Sequence, residues 1–221
     1  MWLIKQSDLK PEDLKRIYLD FLETASKLQK KYKDRIQLLI GIETDFVTRI
    51  DLDRTKAILD SRKDIQYVVG SVHHVAGVSI DFDKSTYLRS IEHCTADTVG
   101  STMSTSSSTL HMPQPSNPDL IPTDDQLVLF LSKYFDAQYE MIEALEPEVI
   151  GHFDLCLLFN PGYRLDGQEE VWKRVKRNVE RVVRYGGLFE ANGAAIRKGW
   201  ETSYPSKEVL QVSRHIPSLN F

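Results

Sequence analysis

Apolar positions along the chain follow two rhythms that alternate. After Pro11, Leu14, Tyr18, Phe21, Leu22, Ala25 and Leu28 recur with a period near 3.6, which predicts an amphipathic helix whose first turn carries Glu12 and Asp13. "IQLLIGIETDF" follows as an apolar run without alternation, as expected of a strand covered on both faces in a parallel sheet. The same succession then repeats. "DLDRTKAILDSRKD" reads as helix and "IQYVVGSVHH" as strand. "DDQLVLFLSKYFDAQYEMIEAL" is a long helix with Leu127, Leu131, Tyr134, Met141 and Leu145 on one side, and "EVIGHFDL" is a strand. "QEEVWKRVKRNVERVVRYGG" is a helix closed by glycines, "LFEAN" a strand, and Pro205 opens a last helical stretch. The strands are expected near 36–42, 66–72, 148–152 and 187–191. Four such alternations predict an α/β fold with a parallel sheet, either a barrel or a doubly wound sheet.

One segment breaks the rhythm. Residues 95–121, from "CTADTVGSTMSTSSSTLHMPQPSNPDLIP", are rich in Ser, Thr and Pro and predict a flexible low-complexity insertion. Because the alternation resumes beyond it, the whole chain, 1–221, is read as one domain.

Composition narrows the function classes. The net charge of -4 lacks the basic face of a nucleic-acid binder. Neither G-x-G-x-x-G nor G-x-x-x-x-G-K-[ST] occurs, which removes weight from nucleotide binding. The apolar patch Met1–Ile4 is too short for a signal peptide and no later run is long enough to span a bilayer. Two cysteines, Cys94 and Cys156, form no disulfide framework. A cytoplasmic protein without membrane or nucleic-acid partners is the expectation.

The chemistry gathers where parallel α/β folds keep it, at the carboxyl ends of the strands. The first strand delivers Glu43 and Asp45, the second His73 and His74, the third His152 and Asp154, the fourth Glu190 and Asn192. One such end is ordinary loop polarity; four in succession point to a metal centre, and imidazole with carboxylate suits Zn, Mn or Fe. Asp45 and Asp154 either hold a ligand imidazole or cap the segment that follows. His93, His111 and His215 do not share the placement and read as solvated residues.

"GIETDF", "VVGSVHHV", "VIGHFDL" and "LFEANGAAIRKG", in that order, resemble the polymerase-and-histidinol-phosphatase (PHP) superfamily, in its histidinol-phosphatase branch of fungal type. The resemblance implies a distorted (β/α)7 TIM-like barrel with two or three divalent metal ions. It implies metal-ligand and catalytic roles for Glu43, His73 and His152, with His74 one step from the matching position. Glu190 and Arg197 match a stretch beside the substrate. The implied reaction is hydrolysis of a small phosphate ester, histidinol phosphate, in histidine biosynthesis.

The family's first strand ends in His-x-His, its second in Glu-His and its last in Asp-x-His, and no predicted strand here ends in any of these; the Glu92-His93 pair falls beside the low-complexity segment. The expectation is a partial barrel lacking the first two strands and the last, truncated at both ends, with poor turnover by this chain. A non-catalytic relative, acting as a binding protein or not at all, is the alternative reading. A relative acting on nucleic acid, which the superfamily also contains, is disfavoured by the charge and by "EANGAAIRKG".

Overall fold

In a computed structural model, residues 11–96 and 121–215 are described. Helix α1 (Pro11–Tyr32) leads to strand β1 (Gly41–Asp45), α2 (Arg49–Ser61) and β2 (Tyr67–Ser71). A two-stranded hairpin, β3 (His74–Val75) with β4 (Val78–Ser79), precedes α3 (Lys84–Ala96). Then come α4 (Asp124–Leu145), β5 (Val149–Ile150), α5 (Glu169–Tyr185), β6 (Leu188–Phe189), α6 (Ala194–Arg197) and α7 (Lys207–His215). The main sheet is parallel throughout, in the order β1-β2-β5-β6. Strands therefore follow one another in chain order, without the reversal that creates the switch point of a doubly wound sheet.

Helix α4 is the spine of the core. Leu127, Phe130, Leu131, Tyr134, Phe135, Met141 and Ile142 are all buried, at about 1.5–3 kcal/mol for each large apolar side chain removed from water. Its start is set locally: the Thr123 hydroxyl accepts from the backbone N–H of Gln126 while the Gln126 side chain accepts from the N–H of Thr123, a reciprocal capping box. Helix α5 offers Val171, Val175, Val179 and Val182 as one fully buried stripe, and Gly186, at φ 83, ends it in the left-handed conformation.

Three differences from the sequence reading stand out. The first strand covers 41–45 rather than 36–42. The backbone of Ile40 already meets Gln66, and Gly41 pairs with Tyr67; the preceding Ile36 and Leu39 stay 55% exposed, so the run could not serve as a strand covered on both faces. Helix α1 forms, but of its apolar face Leu22 is buried while Phe21 and Leu28 remain more than 40% exposed. Helix α3 and the β3–β4 hairpin were not expected. Polar His73, His74, Asp81 and Asp83 flank their apolar residues, and the buried stripe of Tyr87, Leu88, Ile91 and Cys94 is short. Thr95 and Ala96, assigned to the flexible insertion, close α3, and Ile121–Thr123 lead into α4; the rest of the insertion, with His111, lies outside the described residues. His93 is exposed in the last turn of α3, and Cys94 and Cys156 are free and buried.

Candidate metal centre

Glu43 sits inside β1, and its side chain reaches toward the carboxyl ends of the neighbouring strands. Its Oε1 accepts from the Ser71 hydroxyl at 2.7 Å and lies 3.3 Å from both His73 Nε2 and His152 Nε2. His73 follows β2 by two residues, and His152 follows β5 by two. The two imidazole rings meet edge to face, centroids 4.6 Å apart. One ligand atom from each of Glu43, His73 and His152 falls within 4.8 Å of the other two.

Main-chain contacts made by other side chains hold this geometry. At β5 the backbone must come close: a Cβ on Gly151 would stand 2.5 Å from Ser71 Oγ, so glycine is required for His152 to approach Glu43. The backbone of His152 adopts a positive φ of 25°. That turn is held from two sides. Glu190 accepts from the His152 N–H at 3.0 Å, and the Phe153 carbonyl accepts from Gln138 at 2.8 Å and from Tyr134 at 3.1 Å. The long helix thus fixes the turn that presents the third ligand. Asp154, fully buried, accepts from the Ser206 N–H at 2.7 Å, and burial pushes its carboxyl up to about 6.

On the β2 side, Asp45 accepts from the His73 N–H at 3.0 Å and stands 2.9 Å from His74 Nδ1. His74 is therefore turned to Asp45 and is not among the three converging side chains. His73 Nδ1 lies 3.0 Å from Asp81 Oδ2. Glu43, hydrogen-bonded to His152 and His73, is held well below the usual carboxylate range. Burial opposes charge on His73, yet Asp81 and Glu43 outweigh it and push the ring up to about 10. Carboxylates on both sides of the His73 ring favour positive charge there, and one carboxylate with two imidazoles is a donor set that fits Zn, Mn or Fe.

The remaining residues named from the sequence divide. Glu190 lies beside the centre, but its carboxylate is engaged by the His152 N–H and, at 3.1 Å, by the Asn192 amide. Arg197 is exposed on α6 and makes no ion pair with the three. Sequence reasoning gave no site role to Ser71, Gln138 or Asp81, and read Tyr134 only as part of the apolar face of its helix. Only Asp81 carried a usable signal: the Ala76-Gly77 pair between Val75 and Val78 is a two-residue hairpin turn that returns the chain toward His73.

The model of the PHP domain matches residues 16–194, and the chain belongs to that family. Among curated proteins it is 34% identical over 207 residues to a probable histidinol-phosphatase of Schizosaccharomyces pombe, covering 92% of this chain and 58% of that one. It is 29% identical to a histidinol-phosphatase of Saccharomyces cerevisiae, covering 93% of this chain and 61% of that one. The chain thus spans about six-tenths of the length of the curated relatives it matches. In three dimensions it is similar to a crystal structure from Listeria monocytogenes, described as a candidate histidinol phosphatase, with a TM-score of 0.65 at 19% identity over 94% of this chain and 69% of that one; that likeness concerns the fold.

Proposed function

We propose that the chain carries the metal-dependent centre of a phosphomonoesterase, a histidinol-phosphatase acting on histidinol phosphate, built on part of a distorted (β/α)7 barrel. The sequential parallel order of the strands supports the barrel, and the names of the curated yeast relatives support the substrate. The observation that carries the reading is the convergence of Glu43, His73 and His152 at the strand ends.

Glu43, His73 and His152 would hold the ion. When bound there, a divalent cation supplies a hydroxide nucleophile from water at neutral pH and neutralises phosphate charge. Glu43 stays ionised because the two histidines and Ser71 hydrogen-bond to it, so it can balance a cation without first losing a proton. Glu190 and Asn192 brace the turn that presents His152. Arg197, exposed at the end of α6, would grip a phosphate with two parallel hydrogen bonds.

Among the described residues three side chains offer converging ligands, enough for one catalytic ion at about three protein ligands per metal. Slower hydrolysis than by a centre of two or three ions is the expected result. The same count favours, as a second reading, a relative that binds metal without turnover. One preparation separates the two. Zinc or manganese is titrated into the chelator-stripped protein, and phosphate release from histidinol phosphate is followed alongside His152→Ala. Metal-dependent release that falls at least about 100-fold in the variant supports the hydrolase. Metal binding without release supports the second reading, and release unaffected by chelation would refute the metal centre.

A further inference from the structure

The two histidines of the centre are held differently. His152 Nδ1 is buried with no hydrogen-bond partner among the described residues, its orientation coming from the backbone clamps on either side. His73 has a carboxylate on the far side of its ring, Asp81 Oδ2 at 3.0 Å from Nδ1. Asp81 is itself aimed, because Ser79 Oγ donates to its other oxygen at 3.1 Å.

A specific piece of backbone brings Asp81 there. After His73 the chain forms the hairpin β3–β4, turning through Ala76 at φ 51 and Gly77 at φ 75. Two consecutive left-handed residues are what a tight two-residue hairpin turn requires. The Ile80 N–H then returns to the His73 carbonyl at 2.9 Å, and Val75 and Ile80, 2% and 0% exposed, pin both arms in the core. Nine residues of chain, 73–81, thus form a closed loop whose last residue sits on the ring of its first.

We infer that Asp81 is a positioning residue of the centre: it accepts a hydrogen bond from the Nδ1–H of His73, fixes the ring with Nε2 toward Glu43 and His152, and thereby strengthens divalent-metal binding. Both ring nitrogens of His73 face carboxylates; Nε2 is the one turned to the other two ligands, so an ion there would replace its proton, while Asp81, with only acceptors to offer, keeps Nδ1 protonated. The β3–β4 hairpin is the device that delivers it. This inference rests on the reading of Glu43, His73 and His152 as a metal centre, not on the identity of the substrate.

The test uses the full 221-residue chain, zinc, and a chromophoric competitor for zinc. Asp81→Ala should weaken zinc binding about 10–100-fold, the usual cost of losing a partner behind a ligand histidine, with Asp81→Asn in between. The control is Asp83→Ala: Asp83 accepts from the Thr86 N–H at the start of α3 and touches neither histidine, so it should lower thermal stability while leaving zinc affinity unchanged. In the zinc-loaded wild type the His73 Nδ1 proton should give a solvent-protected NMR signal that Asp81→Ala abolishes. Should Asp81→Ala fail to fold, Asp81→Asn and the NMR signal carry the test. Zinc affinity within threefold of wild type in the Asp81 variants would overturn the inference and leave the centre standing. A wild type that binds no zinc would overturn the centre and the inference with it. Tight zinc binding without phosphate release would leave the inference intact and reject the proposed reaction.

Discussion

The closest approach in the centre is backbone against side chain, at Gly151, and adding one carbon there should unseat two ligands together. A Cβ at this position would lie 2.5 Å from Ser71 Oγ and 3.1 Å from Val69 Cγ1. Both neighbours belong to β2, whose Gly70 carbonyl accepts from the Gly151 N–H at 3.0 Å, so β5 cannot retreat without losing a ladder bond. Ser71 is 1% exposed and its hydroxyl is committed to Glu43. Gly151→Ala must therefore displace the Ser71 hydroxyl or push β5 away. Overpacking of this kind costs about 1–3 kcal/mol, a fall in Tm of roughly 3–10 °C for a chain of this size. Zinc affinity should fall as well, because the same displacement moves Glu43 or His152. Ser71→Ala removes the nearest clashing atom. In the double variant the two costs should sum to less than the separate losses by about 1 kcal/mol or more, the mark of direct contact in a double-mutant cycle. Thermal melts and zinc titrations of the four proteins decide it. Additive losses, or a Gly151→Ala protein with wild-type Tm and affinity, would refute the close-packing argument.

Glu43→Gln keeps the shape but removes the charge opposite both histidines; zinc affinity should drop at least about tenfold by chelator competition, and an unchanged affinity would move the centre elsewhere. Asp154 has its folded-state pKa raised from 3.8 to about 6 by burial, so its contribution to stability is complete below about pH 4 and lost as pH rises through 6. A rise of that size corresponds to about 3 kcal/mol. Asp154→Asn should remove that slope in urea melts of metal-free protein between about pH 4.5 and 7, and a wild-type-minus-variant difference that stays constant with pH would contradict it. Thr123→Ala opens the capping box of α4 and should cost about 0.5–2 kcal/mol, read as a lower urea midpoint with unaltered zinc affinity.

How much of this was legible in the chain follows from the range of the interactions. Helices α4 and α5 were read closely because a 3.6-residue stripe, a capping residue and a terminal glycine are all local. Glu43, His73 and His152 stood out for a related reason. In a parallel sheet every strand points the same way, so groups at successive strand ends face one rim; that gathered eight candidates, and the family resemblance picked these three out of them. The beginning of β1 was misplaced because an apolar run marks what is sticky, whereas a strand begins where a neighbour supplies hydrogen bonds, here from Gln66 onward. The supporting contacts were out of reach altogether. Glu190 on the His152 N–H spans 38 residues, Ser71 on Glu43 spans 28, and Gln138 on the Phe153 carbonyl joins a helix interior to a turn. None of these has a spacing rule, because each depends on how the helices and strands pack rather than on what any one of them is. The sequence by itself determined which side chains stand at the strand ends, because parallel strands share one rim; only tertiary packing decided that Glu43, His73 and His152 converge while His74 turns to Asp45, and that Asp81 stands behind one of the three.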